Sequence, residues 1–260
     1  MNSVMRSTLG AVASVGLACL IWEGFARSGV FAPALAPTLG VIGSTLGRMI
    51  LDGSVLRHTL YTLYRVLFGF VLAGAVGLPI GILMGRFRRV ERFFVPLMSV
   101  FMPIPSLAWV PVFILWFGLG NTATIAIVFY AATFPMVFNT WTGVRSVNRL
   151  WIRSAEAMGA DERVLFYKVV LPGALPFVIT GLRLAFARAW IAVVGAEMIA
   201  ASNWGLGWVI FDSKEFLATD VMLGSLVVIG IVGLACERLI FQTLERKTVG
   251  RWGMVKAVKG

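Results

Sequence analysis

Charge is what this sequence has least of. Only 13% of its 260 residues are Asp, Glu, Lys or Arg, against roughly 25% in soluble globular domains. With 59% hydrophobic residues and a mean hydropathy of +0.89, no soluble core could absorb the apolar surface, so an integral membrane protein is expected. Acidic residues are scarcer still, 12 against 23 basic ones, for a net charge of +11. The basic residues lie between apolar segments rather than along one soluble face, which argues against a nucleic-acid partner and for membrane topology. The two cysteines, Cys19 and Cys236, sit in the first and last apolar segments without ligand spacing, and read as small apolar filler. The single histidine, His58, is expected at an outer surface in a solvated or capping role. No segment pairs carboxylates or spaces metal ligands, so no catalytic or metal chemistry is indicated. There is no Gly-x-x-x-x-Gly-Lys-Ser/Thr loop either, so this chain does not bind ATP in the P-loop manner.

What is present is a succession of apolar runs, at about 9–25, 59–85, 96–119, 123–143, 174–200 and 221–241. The first invites a signal-peptide reading, because Ala34-Leu35-Ala36 looks like a cleavage site. Pro37 directly after it, Glu23 and Arg27 before it, and the length of the run favour a retained helix instead. Residues 30–58 are less apolar and rich in Pro and Gly, so they are expected to cross the outer surface with one short helix near 41–51. Asp52-Gly53-Ser54 then turns the chain into the second span. Arg86, Arg88, Arg89 and Arg92, offset only by Glu91, mark a cytoplasmic loop. The third run contains Pro103, Pro105 and Pro111, tolerable in a membrane where neighbours or a water-filled cavity satisfy the freed carbonyls. With both termini inside, inner segments hold Arg6, the Arg86 cluster, the charges of 145–168 and everything from Arg238 through the basic tail. Outer segments hold only Arg27, Arg48, Arg57, Arg65 and Lys214. That bias favours an all-α protein of about six spans, a single domain over 1–260 with its core at about 55–245. No internal repeat or low-complexity tract is evident.

The stretch 147–172, VNRLWIRSAEAMGADERVLFYKVVLP, is unlike the rest because charges alternate with apolar residues. Residues 150–158 are good helix formers, with Trp151, Ile152, Ala155 and Met158 near one face. Gly159 suits the left-handed residue that ends such a helix. Asp161 can cap a second helix, Glu162 favours its first turn, and Lys168 sits near its last. Pro172 is expected to end or bend that helix. A helix, a glycine corner and a helix at a membrane surface result.

This stretch resembles the cytoplasmic loop of ATP-binding-cassette importer permeases, whose pattern is Glu-Ala-Ala, three residues, Gly, nine residues, Ile, one residue, Leu-Pro. Ala155, Gly159, Val169, Leu171 and Pro172 fall in register; the pattern's Glu is Arg153 here and its first Ala is Ser154, while Glu156 lies one residue past the triplet. The resemblance extends to Arg65-Val66-Leu67-Phe68-Gly69-Phe70, Pro103-Ile104-Pro105, Asn139-Thr140, Gly181-Leu182-Arg183 and Ala196-Glu197-Met198. These are similar to the nitrate, sulfonate and taurine importer permeases, a group that includes permeases for pyrimidine precursors. The resemblance implies a bacterial inner-membrane permease homodimer, two cytoplasmic ATPase subunits and an extracytoplasmic solute-binding protein. ATP and Mg would then be bound by the ATPase subunits, and no cofactor by this chain. Arg153, Ala155, Glu156, Gly159, Ala160, Leu171 and Pro172 would form the coupling loop that meets the ATPase. The rival reading, a secondary transporter or channel, needs no ATPase and leaves the glycine corner without a role.

Intramembrane charges are the clues to the solute. Arg183 is expected to snorkel to the inner headgroups. Arg188 lies sixteen residues after Pro172, about 24 Å along a straight helix. Glu197 is nine residues further and therefore on the opposite face, unable to neutralise Arg188 within one helix. Another helix, water or an anion must meet that charge. Arg188, Asn139 and Trp190 are the candidate pathway residues, and an anionic solute is expected.

Overall fold

The computed structural model describes residues 3–242; the basic tail lies outside the described residues. Its helices are α1 (Ser3–Arg27), α2 (Leu39–Leu51), α3 (Ser54–Arg86), α4 (Arg88–Phe101), α5 (Val110–Phe117), α6 (Asn121–Ser146), α7 (Arg149–Ala157), α8 (Glu162–Leu165), α9 (Leu171–Ala200), α10 (Leu206–Glu215) and α11 (Thr219–Cys236). No strand occurs among the described residues. Four helical stretches are long and apolar enough to span a bilayer: Ser54–Arg86, Asn121–Ser146, Glu162–Ala200 and Thr219–Phe241. A bent pair supplies a fifth, against the six expected, and α1 is 25 residues long, about 37 Å.

The core is a three-helix slab in which α6 lies between α3 and α9. Lipid tails are as apolar as leucine side chains, so helices in a bilayer gain cohesion from close packing rather than from water exclusion. On α3 small residues recur every fourth position, at Gly69, Ala73, Gly77, Gly81 and Gly85, and so form one stripe. The approach to α6 is close at Gly81, where a Cβ would stand 2.6 Å from the Thr140 Cβ and 2.7 Å from the Val137 carbonyl oxygen. Gly143 of α6 and Gly181 of α9 continue the arrangement on the other side, against Phe177 and Asn139. Val66, Ala73, Val128, Met136, Phe186 and Val193 fill the shared interior.

Several expectations are corrected. The third run is not one helix starting near residue 96. It is α4, a 3-10 turn at Ser106–Trp109 and α5, with an 85° bend between the two arms. Pro103 and Pro105 lack the N–H donors a helix needs, and α4 stops at Phe101 with Met102 as its cap. The Arg86 cluster is not a loop either: only Phe87 separates α3 from α4, and Arg88, Arg89 and Arg92 open α4. Glu91 of α4 pairs with Arg145 of α6. Pro172 does not end its helix: it follows the irregular hydrogen bonding of a π turn, at the second residue of α9, which runs on to Ala200. A π turn at Phe166–Val170 carries α8 into α9, so residues 162–200 form one 39-residue helical stretch. Arg183 does not merely snorkel; its Nε donates to Glu237 Oε1 at 2.5 Å, beyond the end of α11. The Asp52-Gly53-Ser54 turn forms as expected, with Gly53 at φ +76° and the Ser54 N–H donating to Asp52 Oδ1 at 2.8 Å. Helix α10, packed between α9 and α11, has no counterpart among the expected elements.

Candidate functional site

Three structural features stand out: a capped corner between α6 and α9, a cavity at the broken span, and a buried polar network at the far end of α9. The corner begins at Asn148, whose Oδ1 accepts from the Leu150 N–H at 2.9 Å and caps α7. Helix α7 closes with Gly159 N donating to Glu156 O at 2.9 Å and Ala160 N to Ala155 O at 3.0 Å, a pairing that requires a left-handed residue between them. Gly159 supplies it at φ +81°. Asp161 Oδ1 then accepts from the Val164 N–H at 2.7 Å and starts α8. Ala155 is buried, and Ile152, Val169 and Val170 pack on Val144, Val147 and Ala174, where α6 ends and α9 begins. The Arg86 guanidinium lies 4.8 Å from the Phe166 ring centroid and 3.7 Å from Glu162, joining α3 to the corner. The outward face keeps Leu150, Trp151, Met158 and Tyr167 exposed. Arg153, Glu156 and Gly159 are exposed too, while Ala160, Leu171 and Pro172 are half-buried.

The cavity, about 420 Å³, opens where the third span breaks, and its wall runs from Met102 to Leu107. Opposite stand Tyr130 and Phe134 of α6 and Arg188 and Ile191 of α9. Tyr130 holds the break in place, its hydroxyl donating to the Phe101 carbonyl at 2.7 Å. Arg188 is exposed to this space, and no ion pair to it occurs among the described residues. Glu197, on the opposite face of α9, is engaged elsewhere.

That engagement is the third feature. Arg65 of α3 and Glu197, 1% and 0% exposed, form an ion pair at 2.8 Å. Arg65 Nε also donates to Asn121 Oδ1 at 2.8 Å, and its Nη1 to the Trp204 carbonyl at 2.7 Å. Glu197 Oε2 accepts from the Thr62 hydroxyl at 2.9 Å and from the Gly207 N–H at 3.0 Å. Thr62 in turn accepts from the Leu206 N–H, and His58 Nδ1 from the Gly205 N–H at 3.0 Å. Both carboxylate oxygens of Glu197 and the Nε and Nη1 of Arg65 thus meet partners, the kind of satisfaction under which a buried pair is tolerated. The segment before α10 is held down with Trp204 at φ +24°, its ring under the Arg57 guanidinium at 4.6 Å and against His58. His58 therefore caps backbone as expected, but buried rather than solvated. No group of three or more metal-binding side chains occurs among the described residues.

Residues 77–246 match the family described as binding-protein-dependent transport system inner membrane component. The chain belongs to this family. Among its relatives, the Methanocaldococcus jannaschii protein MJ0413 is 39% identical, covering 85% of this chain and 84% of that one. The taurine transport system permease protein TauC of Escherichia coli is 35% identical over 79% of this chain and 74% of its own. The bicarbonate transport system permease protein CmpB of Synechococcus elongatus is 32% identical, with 85% and 82% covered. A permease chain from an inward-facing crystal structure of the MetNI methionine ABC transporter shares the fold: TM-score 0.62 at 21% identity, covering 73% of this chain and 93% of that one. The protein is thus an importer permease of the ABC class, a multi-pass membrane subunit and not itself an enzyme. Membership implies ATP-binding partner subunits and a solute-binding protein, and the reading as a secondary transporter or channel falls away.

Of the pathway candidates in this permease, Arg188 alone lines the cavity. Asn139 packs beneath Gly181, its Nδ2 donating to the Pro135 carbonyl at 2.8 Å. Trp190 stacks on Phe186 and covers Gly233 of α11. The Arg65–Glu197 pair escaped the sequence reading, which counted Arg65 among outer charges. The available signal was two opposite charges inside two apolar runs with no neighbour of their own to neutralise them.

Proposed function

We propose that two copies of this chain form the translocation path for a small anionic solute, by alternating access driven by ATP hydrolysed with Mg on partner subunits. Both termini then face the cytoplasm, as the basic bias requires. The observation that carries this reading is Arg188, a cation with no ion pair among the described residues, lining a cavity beside broken helix. A charge deep in a bilayer is costly, on the order of 3 kcal/mol on insertion scales, and is retained where it faces protein or water with a function. Taurine and bicarbonate, named for two relatives, each carry a negative group, which supports an anion here. Arg188→Gln keeps the shape and removes the charge. Transport by the reconstituted complex should fall at least about tenfold, the equivalent of about 1.4 kcal/mol, while the ATPase subunits still copurify. Normal transport makes Arg188 a bystander; a complex that falls apart makes it a structural residue.

The inner corner is the coupling element in this reading. Closure of the ATPases moves α7 and α8, and because α8 is continuous with α9, the push reaches the helix that bears Arg188. A Cβ at Gly159 would meet nothing within 4 Å, so only its backbone conformation constrains it. Gly159→Val imposes strain of about 1–3 kcal/mol, whereas Gly159→Asn tolerates the left-handed region. The valine variant should insert and assemble yet lose solute-stimulated ATPase activity, with asparagine close to wild type. Full stimulation in Gly159→Val refutes the coupling role.

A further inference from the structure

We propose that a groove between α4 and α6 holds an anionic glycerophospholipid of the membrane, with its phosphate on Arg88 and Arg92 and an acyl chain along the groove. The groove measures about 500 Å³ and is lined by Val95, Ser99 and Met102 on the α4 side and by Phe138 and Trp141 of α6. It adjoins the cavity of Arg188 at Met102 and Pro103, but no charged residue lines it. Charge begins at one end. Arg88, Arg92, Val95, Ser99 and Met102 recur at intervals of four and three, so they form a single stripe along α4. Phe138, Trp141 and Arg145 do the same on α6. The apolar groove therefore opens towards three arginines.

Helix α3 is a membrane span that ends at Arg86, and only Phe87 separates it from α4. The arginines thus stand where hydrocarbon gives way to water. Arg86 and Arg145 are engaged by Glu162 and Glu91. Arg88 and Arg92 are exposed, and no ion pair to either occurs among the described residues. Two guanidinium groups one turn apart can share a phosphate through charge-assisted hydrogen bonds. The hydrocarbon of the groove does not choose among lipids, because acyl chains are as apolar as its side chains. The arginines do choose. A phosphocholine headgroup carries its own cation towards them, whereas a phosphatidylglycerol headgroup brings only the phosphate charge, and basic pockets beside membrane helices select such headgroups. A second copy of this chain is the competing occupant. An isologous contact here would set Arg88 and Arg92 against their own images, like charge on like.

The test uses the permease–ATPase complex in detergent, with dioleoylphosphatidylglycerol and dioleoylphosphatidylcholine titrated separately and binding read by native mass spectrometry. Phosphatidylglycerol should bind at least tenfold more tightly. The double variant Arg88→Gln, Arg92→Gln should lose at least fivefold of that preference. Arg89→Gln, on the same helix but off the stripe, should stay within twofold of wild type. Equal binding of the two lipids by wild type, or an unchanged preference in the double variant, overturns the site. So does an equal loss in Arg89→Gln, since selectivity would then belong to the basic cluster at large. Glycerol 3-phosphate in excess should not displace the lipid; displacement overturns the part given to the acyl chain. Ser99→Cys, made after Cys19→Ala and Cys236→Ala, tests the groove itself. Its reaction with N-ethylmaleimide should slow at least fivefold with phosphatidylglycerol and less than twofold with phosphatidylcholine. Equal slowing by both overturns the selection, and a disulfide between two copies under mild oxidation gives the groove to a second chain and overturns the proposal.

Discussion

Glu197→Ala should be the most damaging single change outside the cavity and the coupling corner. It strands the Arg65 guanidinium, 1% exposed, beside the Asn121 oxygen and the Trp204 carbonyl, and it orphans the Thr62 hydroxyl and the Gly207 N–H. Removing one partner of a buried ion pair costs about 3–5 kcal/mol, because the remaining charge stays buried without compensation. At the sensitivity of a domain this size, the unfolding midpoint in detergent should fall by on the order of 10 °C. The double variant Glu197→Leu with Arg65→Met should recover part of that loss, since no charge is then stranded. Recovery stays incomplete, because Thr62, Gly207 and Trp204 still lack partners. A Glu197→Ala protein as stable as wild type, or a double variant worse than either single one, refutes the pair as a structural tie.

Gly81→Ala should destabilise nearly as much for the opposite reason, too many atoms rather than too few. Alanine is ordinarily favoured over glycine inside a helix by about 1 kcal/mol. At Gly81 the added Cβ would stand 2.7 Å from a backbone oxygen of α6, which no side-chain rotation relieves. The helices must part, at a cost of about 1–3 kcal/mol or more for overpacking, and the contacts along the α3 stripe loosen with it. Gly74→Ala is the internal control: on the same helix its Cβ would meet only the Met136 sulfur, at 3.9 Å. It should be neutral or slightly stabilising. Thermal unfolding of both variants reads the difference, and a Gly81→Ala protein as stable as Gly74→Ala refutes close α3–α6 contact as the source of cohesion.

These two sites belong to different levels of the sequence. The small-residue stripe on α3 is written in the chain at four-residue spacing and was open to a periodicity reading. The ion pair is not, because Arg65 and Glu197 lie 132 positions apart and nothing local relates them. Both fall within short motifs that carried the family resemblance, but the resemblance alone gave neither a role.

Composition and local chemistry settled the membrane class, the apolar runs and the inner corner. Low charge leaves a bilayer as the only solvent for so many apolar residues, and a cap, a left-handed glycine and a second cap act over five or six neighbours. Asn148, Gly159 and Asp161 therefore behave in the fold as their neighbours in sequence dictate. Tertiary structure alone decided the rest. Pro103 and Pro105 announce a break, yet which way the arms turn depends on Tyr130 reaching the Phe101 carbonyl from α6. Pro172 reads as a stop signal, yet the helix runs through it, because the π turn before it and the packing of Val169 and Val170 on Ala174 set the path. Whether Arg188 faces a cavity and Glu197 a partner follows from how α9 is rotated against α3 and α6. That rotation is fixed by close contacts at Gly143 and Gly181, between residues distant in the chain, and so lies beyond any local pattern.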